Sequence, residues 1–196
     1  LDGNSSSGNS DLFVVKYNSS GNKQWTKQLG TSSYDYALGV STDSSGNFYV
    51  AGQTYGGLDG NSSSGNSDPF VIKFNSSGNK QWTKQLGTSS FDHASGVATD
   101  SSGNVYVAGG TEGGLDGNSS AGDSDLFVIK YNSSGNKQWT KQLGNSGKES
   151  ATAVATDSSG NVFVAGQTYG VGLDGNSSAG DLDLFLVKYD SDGNKQ

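Results

Sequence analysis

The sequence predicts an all-β protein in which four-stranded antiparallel units repeat along the chain. Three observations support this fold class: a motif that returns at a nearly fixed spacing, short β-rich runs between turns, and a strand of small residues in each repeat. A period of this length is typical of propellers, solenoids and repeat arrays, because one repeat cannot bury its own apolar face. We therefore expect the chain to be stabilised by packing of repeat against repeat.

The repeated motif is LDGNSSSGNSD, which begins at Leu1 and Leu58 and returns in variant form at Leu115 and Leu173. Subtracting neighbouring start positions gives spacings of 57, 57 and 58 residues, with Val171 as the additional residue. The 196 residues therefore hold about three and a half repeats. The chain has no methionine and begins with Leu1, so we expect it to be processed or partial.

Composition alone is compatible with a disordered chain, since hydrophobic residues make up only 31% of the chain and 31 positions are glycine. Periodicity argues against disorder. Runs such as LFVVKY and VYVAG are separated by Ser, Gly, Asn and Asp clusters, as expected for short strands with tight turns. No run is long enough to cross a bilayer, and no signal peptide is visible, so membrane insertion is not expected.

Charge and cysteine content argue against nucleic-acid-binding, disulfide-rich and zinc-thiolate proteins. The net charge is -7, and all 12 basic residues are lysine. Without arginine the chain lacks the usual bidentate reader of phosphate, which argues against nucleic-acid binding. It also lacks cysteine, so neither a disulfide framework nor a thiolate zinc site can form.

Four strands are predicted in the first repeat: Asp11–Tyr17, Lys23–Leu29, Ala37–Asp43 and Asn47–Thr54. The first two are joined by NSSGN and the last two by DSSGN, which are both hairpin links between antiparallel neighbours. Similar runs recur in the later repeats. The sequence thus predicts one four-stranded sheet per period.

The strand order follows from side-chain size and charge. The strand beginning at Ala37 carries small residues, which suit the crowded axis of a ring, so we place it innermost. KQWTKQLG carries lysines that discourage pairing with another chain, so we place it at the outer edge. The strands NFYVAGQT and DLFVVKYN are then second and third. This arrangement is a propeller blade.

Once the blade is recognised, the strings SGVATDSSGNVYVAGGT and SDLFVIKYNSSGNKQWTKQLG resemble the SBBP family of bacterial β-propeller repeats. They are also loosely similar to NHL-type blades around VATDSSGNVYVA. The SBBP resemblance covers every repeat, and Pro69 at the start of a strand is the chief departure. It implies an extracellular or cell-surface bacterial protein, usually without assigned catalysis.

The predicted domain is a single repeat array over residues 1–196, an incomplete propeller of about three and a half blades. Closed propellers contain a whole number of blades, typically four to eight. We therefore expect this chain to be part of a longer repeat chain, or otherwise to form a homo-oligomer. The predicted blades are a partial blade 1–30, full blades 37–87 and 94–144, and a partial blade 151–196.

Calcium is the cofactor that the long loops suggest, because hard cations prefer oxygen ligands from short acidic loops. The loops lack the ligand spacing of an EF-hand, and the alternative interpretation is a long surface turn shaped by Asx side chains and glycine. We expect the turn and keep calcium as the alternative. The candidate ligands are Asp2, Asn4, Asp11, Asp59, Asn61, Asp68, Asp116, Asn118, Asp125, Asp174, Asn176 and Asp183.

Aromatic residues are the candidates for ligand contact. Tyr55 and Tyr169, in the turn after the second strand, are candidates for stacking on sugars. The tryptophans lie on an alternating strand and are expected to pack between blades instead. They are Trp25, Trp82 and Trp139.

Recurring acids are expected to support turns. The acid before SSGN should accept hydrogen bonds from the hairpin backbone, and the acid ahead of each inner strand should act as a cap or an interblade contact. The first set is Asp43, Asp100 and Asp157, and the second is Asp35, Asp92 and Glu149.

No catalytic constellation breaks the internal symmetry of the sequence. His93 is the only histidine, and Tyr36 and Ser150 replace it in other copies, so we interpret it as a surface substitution rather than a catalytic base. The protein is therefore predicted not to be an enzyme.

The predicted function is a structural or adhesive module of a secreted or surface protein, with a protein or glycan as partner. The alternatives are a lectin-like propeller and a calcium-stabilised surface or filament scaffold.

Overall fold

A computed structural model describes residues 2–196, so Leu1, the first residue of the predicted partial blade, lies outside the described residues. The described chain is all-β apart from three short 3₁₀ turns at Leu58–Gly60, Leu115–Gly117 and Leu173–Gly175. The strands are β1 (Leu12–Tyr17), β2 (Lys23–Leu29), β3 (Asp35–Thr42), β4 (Phe48–Thr54), β5 (Asp68–Phe74), β6 (Lys80–Gln85), β7 (Asp92–Thr99), β8 (Val105–Thr111), β9 (Asp125–Tyr131), β10 (Lys137–Leu143), β11 (Lys148–Thr156), β12 (Val162–Tyr169) and β13 (Leu182–Tyr189).

The strands form four antiparallel sheets, and their order confirms the predicted blade. Two sheets are complete, with the orders β3-β4-β5-β6 and β7-β8-β9-β10. Before them lies the pair β1-β2, and after them the three strands β11-β12-β13. At the outer edge of that last sheet, Lys195 forms an antiparallel bridge with Tyr189 of β13. The architecture is an incomplete propeller, as predicted.

The inner strands begin earlier than predicted. We expected the first at Ala37, but β3 starts at Asp35 and ends at Thr42, because Asp35 already pairs with Thr54 on β4. The Asp35 amide also donates to the carbonyl oxygen of Ser10 at 2.8 Å. This contact joins the inner strand to the segment ahead of the preceding blade's third strand.

The core lies between blades, as the repeat pattern requires. One cluster joins Tyr49 and Val71 of one blade to Val107, Phe127 and other residues of the next. The same repeat positions recur in two further clusters. Apolar burial in this chain is therefore a property of neighbouring pairs of blades.

Close approach at the axis explains the small residues of the inner strands. A Cβ atom on Gly39 would lie 3.2 Å from the Cα atom of Gly96 in the next blade. In the second strand, a Cβ atom on Gly109 would collide with the carbonyl oxygen of His93, which lies just before the pairing irregularity between Ala94 and Gly96. Only glycine leaves room for this backbone contact.

The tryptophans pack between neighbouring blades, as predicted. The Trp82 ring lies 6.0 Å from the Tyr49 ring in its own blade and 6.4 Å from the Tyr131 ring in the following blade. Its indole N–H donates to the carbonyl oxygen of Ser133 at 3.3 Å, and the Lys73 ammonium donates to the same oxygen. The rings are half-buried because the outer strand lies at the propeller rim.

Candidate functional site

A group of aromatic side chains lies at the end of the propeller where each inner strand begins. We call it the aromatic surface, and it consists of Tyr34, Tyr36, Tyr55, Phe91 and His93. The three tyrosines are exposed and the other two rings are half-buried. It spans two complete blades, so no single repeat could form it.

The backbone brings these rings together. Tyr34 and Tyr36 are two residues apart at the start of β3, so their side chains point to the same side. The amide of Tyr55, which follows β4, donates to the carbonyl oxygen of Tyr34 at 2.9 Å. Phe91 and His93 occupy the same repeat positions one blade later.

The rings form a contiguous row. Tyr34 and Tyr36 are nearly parallel, with an interplanar angle of 9° and a centroid distance of 6.3 Å. Tyr55 meets both edge-on and lies 6.4 Å from the Phe91 ring. Phe91 in turn lies 5.6 Å from the His93 ring. Such spacings are those of favourable aromatic pairs, so the row is a stable platform.

Of the two predicted sugar-stacking residues, the structure brings only Tyr55 into this row. Tyr169 is also exposed, but it has no ring contact in residues 2–196. Sequence reasoning missed Tyr34 and Phe91. Their common repeat position, 57 residues apart, is the signal that could have found them.

His93 is not a simple surface substitution, which corrects the prediction. It is half-buried, and its Nε2 atom lies 3.3 Å from the hydroxyl oxygen of Ser150 on the next inner strand. Burial lowers its pKa, although Asp92 and Glu112 oppose this effect. Its buried Nδ1 atom has no hydrogen-bond partner in the described chain. The pair therefore lacks the carboxylate that orients the base in a serine hydrolase triad.

The LDG segment of each long loop is a compact turn. Leu58 is buried, and Asp59 has a left-handed backbone with φ of 53°. Asp59 pairs with the Lys80 ammonium and accepts a hydrogen bond from Thr83. The Asn61 side-chain amide donates to the carbonyl oxygen of Leu58 at 2.7 Å. Equivalent lysine pairs in other copies are Asp2 with Lys23, Asp116 with Lys137, and Asp174 with Lys195.

A glutamine that sequence reasoning missed holds the two ends of this loop together. The Gln85 side chain accepts from the Leu58 amide at 2.9 Å and donates to the Gly56 carbonyl oxygen at 3.0 Å. It also donates to the carboxylate of Asp68 at 2.8 Å. The same carboxylate accepts from the Ser64 amide. Asp59 and Asp68, two predicted calcium ligands, thus bind different partners at the two ends of the loop.

Calcium binding stays a prediction that chelation tests. Within residues 2–196, no three His, Cys, Asp or Glu side chains are grouped so that they could hold a metal ion. Because lysine and backbone donors already contact the loop carboxylates, we expect a chelator to shift the melting temperature by less than about 2 °C. Differential scanning fluorimetry with EDTA, and then with excess calcium, measures this shift. A fall of many degrees that calcium reverses would contradict the expectation.

The acids of the tight hairpins accept turn hydrogen bonds, as predicted. One carboxylate oxygen of Asp100 accepts from the amides of Ser102 and Asn104 at 2.9 Å. The other accepts from the Asn104 side chain and the Tyr106 hydroxyl. Burial alone would raise the pKa of Asp100, but these four hydrogen bonds outweigh it and the pKa lies below its usual value.

This arrangement predicts lower stability in acid. The folded-state pKa of Asp100 is lower than its usual value of 3.8. The carboxylate therefore contributes fully to the free energy of unfolding above pH 3.8, and this contribution is lost as the pH falls through the folded-state pKa. Asp43 and Asp157 shift in the same direction. We expect Asp100→Asn to cost about 1–3 kcal/mol at pH 7 and less at pH 3. Urea unfolding at both pH values measures this, and an equal cost at both would contradict it.

The acids ahead of the inner strands are caps, as predicted. Asp92 is fully buried, and one of its oxygens accepts from the Thr88 amide and hydroxyl. Its other oxygen accepts from the hydroxyl of Thr111 on the neighbouring strand. Asp35 and Glu149 make corresponding contacts. These acids fix the link between blades on which the aromatic surface lies.

Among the described residues, no helix has the length and apolar character needed to cross a membrane.

Two curated proteins are similar to the chain. The regulatory protein FlaEY of Caulobacter vibrioides is 28% identical over 174 residues, which is 81% of this chain and 18% of the relative. An uncharacterized WD repeat-containing protein, L264 of Acanthamoeba polyphaga mimivirus, is 26% identical over 181 residues, which is 72% of this chain and 13% of the relative. The chain thus spans less than a fifth of either relative.

The family model described as the SBBP β-propeller repeat matches three segments, residues 24–59, 81–116 and 138–174. Each match runs from the outer strand of one blade, through the inner and second strands of the next, to the LDG turn. Together the matches cover more than half of the chain. The strand order, the Gly-Asn hairpins and these three matches agree, and the chain belongs to the SBBP β-propeller repeat family.

Proposed function

We propose that this chain is a non-catalytic structural or adhesive module of a bacterial secreted or cell-surface protein, and that the aromatic surface contacts a protein partner. The observation that carries the proposal is the exposed, contiguous row formed by Tyr34, Tyr36 and Tyr55. Contiguous exposed apolar surface marks interaction sites, and tyrosine is enriched at the residues that dominate binding energy.

Other features support an interaction role. The loops around the aromatic surface are fixed by buried acids such as Asp35, so the tyrosines are presented on a rigid frame and little entropy is lost on binding. An acidic chain without arginine is a poor match for nucleic acid. Secretion is part of the proposal and rests on what the family resemblance implies.

A cell-binding assay tests this function. The labelled chain is added to bacterial cells before and after treatment with protease, which removes protein partners, or with periodate, which oxidises glycans. We expect saturable binding that protease abolishes and periodate spares. Replacing both Tyr34 and Tyr55 with alanine should weaken it about tenfold or more, because tyrosines at the centre of an interface carry much of the affinity.

Tyr169→Ala is the matched control, since Tyr169 occupies the repeat position of Tyr55 but lies outside the aromatic surface. Equal loss of binding in the double variant and in this control would contradict a site at the aromatic surface. Binding that neither treatment nor variant changes would contradict the whole proposal.

A lectin-like propeller is the second candidate, favoured by the nearly parallel rings of Tyr34 and Tyr36, which offer flat faces for stacking on sugars. With one sugar pocket per blade, Tyr55 and Tyr169 should both contribute, whereas a protein contact centred on the aromatic surface needs only Tyr55. A glycan array with the two single alanine variants separates the candidates. Reproducible binding to one sugar class, lost in both variants, would establish the lectin.

A further inference from the structure

Three residues of the second complete blade depart from the repeat at one corner of the aromatic surface. They are His93, Gly110 and Glu112. His93 pairs with Gly110 across β7 and β8, and the Glu112 amide donates to the carbonyl oxygen of Phe91 at 3.1 Å. The three departures therefore lie together in the folded blade. The corresponding residues are Tyr36, Gln53 and Tyr55 in the preceding copy, and Ser150, Gln167 and Tyr169 in the following copy.

Gly110 makes room for the His93 ring. A Cβ atom on Gly110 would lie 2.8 Å from the Cε1 atom of His93 and 3.1 Å from the hydroxyl oxygen of Ser150. The glutamine that the other copies have at this position would collide with a ring placed here. The imidazole therefore fills the space between the second strand of its own blade and the inner strand of the next, where its Nε2 atom lies 3.3 Å from the Ser150 hydroxyl oxygen.

This place favours the neutral form of the imidazole. The Nδ1 atom is buried and has no hydrogen-bond partner within residues 2–196. Either neutral tautomer leaves only that nitrogen unsatisfied, whereas a protonated ring would bury a positive charge together with an N–H donor that lacks an acceptor. Burial accordingly lowers the pKa of His93 below the usual value of 6.5.

The charged groups around the ring differ in whether they are free to pair with it. Against the effect of burial, two carboxylates raise the pKa of His93, first Asp92 and then Glu112, and of these only Glu112 is exposed. Lys148, at the start of β11, is exposed and carries the same sign of charge as an imidazolium. The buried carboxylates of the surrounding strands already accept other hydrogen bonds; they are Asp35, Asp92, Asp125 and Glu149.

We propose that His93 is a pH switch between two forms of the aromatic surface. In the closed form, the neutral ring lies against Gly110 and bonds to Ser150. In the open form, the protonated ring has turned out of this place and pairs with the Glu112 carboxylate. Protons bind the open form more tightly, because the ring is hydrated there and faces an acid, so a fall in pH shifts the population towards it.

Opening changes the aromatic surface because Phe91 lies between His93 and Tyr55. The Phe91 ring is 5.6 Å from the His93 ring and 6.4 Å from the Tyr55 ring. When the His93 ring turns out, Phe91 loses a ring contact and a charged imidazolium enters the exposed surface. The effect on a bound partner rests on the proposed function, whereas the switch itself rests on the contacts of His93.

Nuclear magnetic resonance of the full 196-residue chain tests the switch, because His93 is the only histidine and labelled histidine gives one set of ring signals. The chain is titrated from about pH 8 to about pH 4.5, with tryptophan fluorescence as a check that it stays folded. We expect a pKa below 6.5 and a nuclear Overhauser contact from the Cε1 proton to Gly110 that disappears as the ring is charged. A pKa at or above 6.5, or a charged ring that keeps this contact, would overturn the proposal.

Two variants should move the pKa of His93 in opposite directions. Gly110→Ala places a methyl group where the ring lies, so it should hold the ring in the open form and raise the pKa towards 6.5. Glu112→Gln removes the acceptor from an exposed side chain and should lower the pKa further. The matched control is Asp181→Asn, which removes an equal charge from an exposed loop and should leave the pKa unchanged. No rise in Gly110→Ala, or equal shifts in Glu112→Gln and Asp181→Asn, would contradict the switch.

The cell-binding assay, repeated at neutral pH and at the pH where the titration shows His93 charged, tests the effect on a partner. The unchanged chain should bind about fivefold more weakly at the lower pH, which is a modest coupling between two sites. His93→Ser, which introduces the residue of the following copy, should bind equally at both. The same pH dependence in both chains would contradict the coupling to His93. Binding of the unchanged chain at neither pH would contradict the proposed function, while the titration still decides the switch.

Discussion

Replacing Phe127 with alanine is expected to lower the free energy of unfolding by about 3–5 kcal/mol, as for other fully buried aromatic residues. Phe127 has no exposed surface and packs with Tyr49 and Val71 of the preceding blade. The truncation would leave a cavity between two blades whose positions are fixed by the backbone on both sides. Urea unfolding, followed by far-UV circular dichroism and tryptophan fluorescence, measures the loss.

Phe13 provides a matched control because it occupies the same repeat position, and within residues 2–196 no strand of a preceding blade packs against it. It is 57% exposed, so Phe13→Ala should cost less than about 1 kcal/mol. Equal losses in the two variants would show that blade-to-blade burial is not what stabilises this chain.

Asp92→Ala is expected to cost about 3 kcal/mol or more, since each buried donor left without a partner costs about 1–3 kcal/mol. The substitution removes the acceptor for three donors, the amide and hydroxyl of Thr88 and the hydroxyl of Thr111. It therefore releases the link between two blades. Thermal and urea unfolding should both report the loss.

Two control variants are compared with Asp92→Ala in the same unfolding measurements. Asp92→Asn keeps one carbonyl oxygen and should cost less than the alanine variant. Asp181→Ala removes an equal charge from an exposed loop and should lie within about 0.5 kcal/mol of the unchanged protein. If Asp181→Ala were as damaging as Asp92→Ala, the effect would come from net charge instead of the cap.

The blade could be predicted from the sequence because each of its determinants is local. Gly-Asn hairpins pair neighbouring strands, small residues such as Gly39 and Ala94 suit the inner strand, and lysines suit the rim. Local sequence cannot predict how deeply a residue is buried, since Phe13 and Phe127 lie in nearly the same sequence. Within residues 2–196 their burial differs because strands of a preceding blade pack against Phe127 and not against Phe13.

The candidate site was only partly predictable. Tyr55 was recognised as an exposed aromatic, but the row it joins depends on Tyr34, which lies in the link before an inner strand. Tyr34 precedes β3 and Tyr55 follows β4, so the two rings come together only because β3 and β4 pair. Asp59 shows the same difficulty: its carboxylate suggested a calcium ligand, but the sequence does not show that the fold of the outer strand also brings the Lys80 ammonium against it.

The contacts between blades recur at the period of the sequence, and this has an evolutionary consequence. The hydroxyl of Thr99 donates to the carbonyl oxygen of Thr42, and that of Thr156 donates to the carbonyl oxygen of Thr99, each across 57 residues. An in-frame duplication or deletion of one period would give every blade neighbours of the type it already has. Unequal crossing-over between such similar gene segments can therefore change the number of blades without requiring any new interface to evolve.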